Sequence, residues 1–220
     1  MKNLKALLGL DFKLCMPYWK WWVMFLGISL LMGLLNRDGG AFIITVAIFT
    51  MTVMVFPFEV TDKSNLDVLY ATLPSNRKSM VVARYGFFLL SLLAVMLVAV
   101  PIGIVIHAAF GRTFSFTMFA VITVFSMAIY LVCVGIQTPF MYKYGYKKGR
   151  IFMWIPLIAF VLVINLNGLF DLLNLDIDFN IFEILFRNAL ITTLVSLGVG
   201  VFAFVASFLL SRRFYLRKDL

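Results

Sequence analysis

Charged side chains are scarce in this chain, 13% of 220 residues, while 63% are hydrophobic. A soluble domain carries about 25% charged and about 45–50% apolar residues. The deficit excludes an ordinary water-soluble domain. A mean hydropathy of +1.03 points instead to a chain solvated by lipid. Histidine occurs once, at His107, and cysteine twice, at Cys15 and Cys133. No spacing among them matches a metal site, and the two cysteines sit in settings too different for a disulfide. They read as two buried or interfacial thiols. His107 ends an apolar run with no carboxylate close to it in sequence. It reads as an interfacial residue rather than a ligand or proton relay.

Other chemistry is missing too. There is no His/Glu/Asp cluster of the kind an intramembrane metalloprotease needs, and no Ser/His or Cys/His pairing at depth for a hydrolase. A Walker A loop is absent, because the 145–149 stretch has neither the length nor the following Lys-Ser/Thr. The reading is therefore of a chain with no catalytic residues, no metal and no cofactor of its own, and not of an enzyme. Ion-coupled carriers usually keep ionisable groups at bilayer depth. Here the apolar runs offer only hydroxyls, Gln137, Asn165 and Asn167 at that depth, which argues against a proton-driven carrier.

What is present is a set of long apolar runs. Residues 1–20 form an amphipathic prelude. Leu4, Leu7, Leu8, Phe12, Leu14 and Cys15 share one broad helical arc and Lys2, Lys5 and Lys13 the opposite one, with Asp11 intruding on the apolar side. This pattern predicts a helix lying along the membrane surface. Pro17 is expected to break it, before an aromatic belt of Tyr18, Trp19, Trp21 and Trp22. A signal peptide is the competing reading. It fails because the apolar run starts late and ends in Asn36-Arg37-Asp38 without a small-residue cleavage site.

Six spans follow, near residues 21–35, 40–58, 81–110, 117–141, 151–170 and 185–210, each near the ~20 residues a crossing helix needs. Pro101 is expected to kink the third. The fold class is thus all-α and polytopic: one membrane domain over 1–220, with an interfacial helix at 1–20, spans over 21–210 and a basic tail at 211–220. Of the 19 basic residues, 16 fall in the N-terminal segment, the second-to-third loop, the fourth-to-fifth loop and the C-terminus. The positive-inside rule then places both termini in the cytosol. The net charge of +9 is explained by this topology, not by nucleic acid. Residues 171–183 alternate Leu173, Leu175, Ile177, Phe179 and Ile181 with polar neighbours, which favours an extended outer segment. On the last span Ser196, Gly200, Ala203 and Ser207 share a face of small residues suited to close helix packing in lipid. Whether that face packs within the chain or between chains is left open.

The longest polar segment lies between the second and third spans, at residues 59–78. Ser64 followed by Asp67 makes a start resembling a capping box. Leu66, Leu69, Tyr70 and Leu73 fall on one helical face, and Pro74 ends the pattern. A two-turn helix does not hold itself in water, so its apolar face needs a partner. That partner is the chain's own bundle or another protein.

The run Phe56-Pro57-Phe58-Glu59, Asp62-Lys63, Asp67-Val68-Leu69-Tyr70-Ala71-Thr72-Leu73-Pro74-Ser75-Asn76-Arg77-Lys78 and Ala83-Arg84-Tyr85 resembles small ABC-2 type permeases. Among these it is most similar to the membrane subunits of Gram-positive peptide exporters, such as the phenol-soluble modulin exporters of staphylococci. The resemblance implies a plasma-membrane permease in a Gram-positive bacterium, paired with a second copy or a paralogue. It also implies a separate cytosolic P-loop ATPase that holds the ATP and Mg. Ser64, Asn65, Leu66, Asp67, Leu69, Tyr70 and Leu73 would form the coupling helix seated on that ATPase. Glu59, Asp62, Lys63, Arg77, Lys78 and Arg84 would be its flanking cytosolic charges.

The function implied is export of amphipathic peptides, within membrane lipid and with no nucleic acid. Alternatives are a non-transporting scaffold or immunity protein that binds peptide, and an exporter of lipid-like or drug substrates. A passive channel is disfavoured, because no span carries a polar stripe along its length. The topology has a direct check. A green fluorescent reporter fused after Leu220 should fluoresce, and alkaline phosphatase fused there should be inactive; the reverse pattern would place the C-terminus outside.

Overall fold

The computed structural model describes residues 2–63, 77–111, 115–149, 151–152, 154–155, 158 and 188–216. Among them every regular element is helical. In chain order these are α1 (Lys2–Cys15), a 3-10 turn (Met16–Tyr18), α2 (Trp19–Leu35), α3 (Gly39–Val53) and α4 (Phe56–Lys63). Then come α5 (Arg77–Ala109), α6 (Phe116–Gly149) and α7 (Ala189–Leu216). Five stretches are long and apolar enough to cross a membrane: Leu7–Leu35, Gly39–Lys63, Ser79–Ala109, Phe116–Gly149 and Ala189–Leu216. They coincide with five of the six expected spans. The expected fifth span falls mostly outside the described residues, as do the 171–183 segment and the 64–73 coupling helix.

α1 ends at Cys15, and Pro17 sits in the 3-10 turn that follows, where a missing N–H leaves no intrahelical bond unmade; the chain then enters α2. Pro101 lies inside α5, which stays helical from Arg77 to Ala109.

The second span does break, at Met54 and Val55. Val55 N–H turns to the Thr52 carbonyl at 3.3 Å, so it no longer serves Met51. Gln137 of α6 reaches across and donates through Nε2 to the Met51 carbonyl at 3.4 Å. Gln137 is thereby a brace across a helix break rather than part of a polar path. Hydroxyls elsewhere in the spans are satisfied locally. Thr50, Thr61, Ser126 and Thr138 each donate to the carbonyl four residues back, at 2.6–2.7 Å. Lipid supplies no hydrogen bonds, so this internal satisfaction is what the solvent demands.

α6 is the central helix. It packs along α7 and against α3, and α3 packs in turn on α2 and α5. The core is Phe42, Ile43, Met51, Phe88, Tyr130 and Val134, all almost fully buried. α2 and α7 are peripheral and present mostly exposed apolar side chains. Two close approaches fix the packing. A side chain on Gly39 would overlap the Gly103 carbonyl of α5. One on Gly200 of α7 would come within 3.0 Å of the Ala128 Cα of α6. The small-residue face of the last span is therefore engaged within the chain: Gly200 and Ser207 are buried, Ser196 and Ala203 half-buried.

Backbone clashes of this kind exceed ordinary overpacking, which costs about 1–3 kcal/mol. Gly39→Ala is expected to lower the melting temperature and the folded yield in detergent. Gly9→Ala, where an added Cβ meets nothing within 4 Å, is expected to leave both unchanged. Equal melting curves for the two variants would refute the Gly39–Gly103 packing.

Candidate functional site

One end of the bundle carries most of the buried charge. Arg84 of α5 is 8% exposed at its side chain and Asp11 of α1 is 6% exposed. Arg84 Nη2 donates to Asp11 Oδ1 at 2.8 Å, and Nε to Oδ2 at 3.4 Å. The pairing is the two-pronged arrangement that matches a guanidinium to a carboxylate. Nη2 also donates to Thr61 Oγ1 of α4 at 3.5 Å. The guanidinium lies over the Phe58 ring, 4.5 Å from its centroid, where the ring face attracts a cation. So one arginine joins α1, α4 and α5.

Local sequence explains how each group arrives. Asp11 is the residue that intrudes on the apolar arc of α1, the arc that packs inward. Thr61 lies one turn after Pro57 and bonds its carbonyl at 2.6 Å, which turns the hydroxyl toward α5. Arg84 stands two turns into α5.

Aromatic and hydroxyl groups wrap the pair. Tyr142 of α6 packs edge-on to Phe58 at 5.2 Å and meets Tyr215 of α7 at 5.3 Å. Tyr85, next to Arg84, is hydrogen-bonded to Ser207 Oγ at 2.5 Å and Ser211 Oγ at 2.8 Å. Glu59 accepts from Lys63 Nζ at 2.5 Å and from the Tyr146 hydroxyl at 3.0 Å. The cluster borders an open pocket of about 50 Å³, lined by Asp11, Thr61, Asp62, Arg84, Tyr142 and Tyr146 among others. Gly145 also lines it, with φ 74° and ψ 174°, backbone angles essentially restricted to glycine.

The expected site residues divide accordingly. Ser64, Asn65, Leu66, Asp67, Leu69, Tyr70 and Leu73 lie outside the described residues. Glu59, Asp62 and Lys63 end α4 at the near side of that segment, and Arg77 and Lys78 begin α5 at the far side. Arg84 was grouped with these flanking charges, but the fold buries it. Asp11 was absent from the candidate set. Its signal was an acid on the apolar face of an amphipathic helix, which requires a buried partner.

His107 needs a second correction. No carboxylate is near it in sequence, yet the α2–α3 turn brings Asp38 Oδ1 to 3.4 Å from its Nδ1. The histidine is 3% exposed, with its ring edge-on to Phe119 at 5.2 Å. Asp38 also caps α3 by accepting from Gly40 N–H at 3.2 Å. Cys15 and Cys133 are free thiols, both buried, and no group of three or more metal-ligating side chains occurs among the described residues.

A family model described as ABC-2 family transporter protein matches residues 6–216. The chain belongs to that family. No curated protein and no solved structure matches it. The match takes in α1, every candidate span and the 64–76 segment, so the Asp11–Arg84 cluster lies wholly within the ABC-2 region. ABC-2 permeases generally work with an ATPase subunit. In this ABC-2 chain the cluster stands near the end of α4 and the start of α5, on either side of the 64–76 segment.

Removing one member of a buried pair leaves an uncompensated charge and costs about 3–5 kcal/mol, whereas replacing both with apolar groups is often neutral. Arg84→Met and Asp11→Leu are each expected to destabilise strongly in denaturant or thermal melts in detergent. The double variant should recover most of the loss. Additive losses in the double variant would show that the two charges act independently.

Proposed function

We propose that this chain is the membrane-spanning permease subunit of an ATP-binding cassette exporter that moves amphipathic peptides out of the cell. A separate cytosolic ATPase would bind ATP and Mg and supply the force; this chain would hydrolyse nothing. Two permease copies, or this chain and a paralogue, would form the pathway in the plasma membrane, with both termini in the cytosol.

The observation that carries the proposal is the tie made by Arg84. Residues 64–76 connect Lys63 of α4 to Arg77 of α5. Thr61 lies three residues before the first residue of that segment. Arg84 lies seven residues after Arg77, about 10 Å along the helix. Arg84 bonds both Thr61 and Asp11. Both ends of the cytosolic segment are therefore fastened to each other and to α1. A partner that displaces the segment would move α1, α4 and α5 together, and Tyr85 would pass the motion to α7 through Ser207 and Ser211. A chain that lacks its own nucleotide loop needs such an input point, and Leu66, Leu69, Tyr70 and Leu73 give it an apolar face for docking.

Peptide is the favoured cargo for two reasons. The sequence pattern is similar to that of peptide exporters. The spans are also apolar and rich in aromatics, 24 Phe in the chain, which suits an amphipathic substrate better than a sugar or an ion.

The test uses membranes from cells co-expressing this chain with its cognate ATPase. Leu69→Glu and Tyr70→Glu are expected to release the ATPase from the membrane and abolish ATP-dependent peptide uptake into inverted vesicles. An ATPase that co-purifies unchanged would remove the docking assignment. Peptide that binds but does not move with ATP would make the chain a binding or immunity protein instead.

A further inference from the structure

α1 presents two different faces to the bundle. Leu7, Leu10 and Asp11 line the polar cavity. Leu8, Gly9, Phe12 and Cys15 turn instead toward an apolar groove of about 670 Å³ between α1, the 3-10 turn, the start of α2 and α5. The volume lies within the ~300–1,000 Å³ usual for ligand sites. Phe12, Met16 and Trp19 stand at its rim, each 60% exposed. Phe87, Leu90 and Ala94 of α5 form its floor.

The chemistry of the lining selects the occupant. It holds no charged residue and one hydroxyl, that of Ser91, which already donates to the Phe88 carbonyl at 2.8 Å. A sugar or an extended peptide would leave its polar groups unsatisfied there, at a cost of several kcal/mol. A hydrocarbon chain asks for nothing but apolar contact.

Length agrees. A second cavity, of about 240 Å³, shares Trp22, Ala94 and Val95 with the groove and continues to Ile102. From Phe87 to Ile102 the floor helix rises about 22 Å, more than the ~15 Å that one leaflet contributes to the hydrocarbon core. Charge agrees as well. Lys13 follows the rim residue Phe12 and Lys20 follows the rim residue Trp19, and both lysines are exposed. The nearby acid, Asp11, is buried on the other face and bonded to Arg84.

We propose that this groove is a binding site for one acyl chain of an anionic phospholipid, in the leaflet against which α1 lies. The chain runs along α5 from Phe87 toward Ile102, and the phosphate is attracted to Lys13 and Lys20. The lipid backs the face of α1 opposite Asp11 and so holds the helix against α5.

The test is the lipid retained by the full chain purified in mild detergent from membranes containing phosphatidylglycerol and phosphatidylcholine, read by native mass spectrometry. The unaltered protein should retain phosphatidylglycerol. Ala94→Phe fills the groove from its floor. Gly9→Leu fills it from α1, where an added Cβ meets nothing within 4 Å and helix propensity improves. Each should reduce retention at least about fivefold, equivalent to about 1 kcal/mol of binding. Leu97→Phe, at a 76% exposed position of α5 outside the groove, should retain lipid normally. A Lys13→Gln/Lys20→Gln variant should retain both lipids without preference. Equal retention by the unaltered protein and both groove variants overturns the site, and so does bare unaltered protein. A lysine variant that still selects phosphatidylglycerol overturns the headgroup assignment. None of these readouts involves transport, so their failure leaves the exporter reading standing, and the reverse also holds.

Discussion

Lipid cannot hydrogen-bond, and this constraint shapes nearly every polar residue in the bundle. Each polar group must find its partner inside the chain. Several span hydroxyls meet it one turn back along their own helices, and that of Tyr85 meets it across helices at Ser207 and Ser211. Gln137 meets it in part: its Nε2 takes a carbonyl that a helix break sets free, while its buried Oε1 has no partner. Arg84 meets it most completely, with a carboxylate, a hydroxyl and an aromatic face around one guanidinium. Charges hidden from water in this way need each other. The three helices that supply the partners are therefore held in one arrangement, and the polar end of the bundle depends on that pairing.

The same arrangement gives the ABC-2 chain a mechanical asymmetry. Around Arg84 the helices are tied by directional bonds, and Tyr85 extends the ties to α7. Toward the Asp38 end they meet through close backbone approach, Gly39 on Gly103, and through the Asp38–His107 contact. Between these ends most contacts are apolar, joined by the Gln137–Met51 and Tyr130–Phe88 hydrogen bonds. The ties are densest around Arg84. The groove between α1 and α5 sits beside the rigid end. An occupant there bears on the same helix that Asp11 anchors.

Sequence and structure agree most closely where a single property repeats. Apolar runs of span length locate α2, α3, α5, α6 and α7 because the bilayer sets both length and composition. The small-residue face at Gly200 was legible for a similar reason, since it is a local pattern with a local cause. Asp11 looked like a flaw in an amphipathic wheel until a residue 73 positions away supplied its counter-charge. His107 had no carboxylate near it in sequence and has one in space.

The amino-acid sequence alone determined that the chain lives in a membrane and where five of its apolar runs fall. Those properties follow from composition and period, which each residue carries with it. Only the tertiary structure decided which charges meet, which face of α1 turns to polar partners and which to the groove, and that the last helix packs back onto its own chain. Pairing is a relation between distant positions. It is set by how helices cross, and no local pattern encodes that.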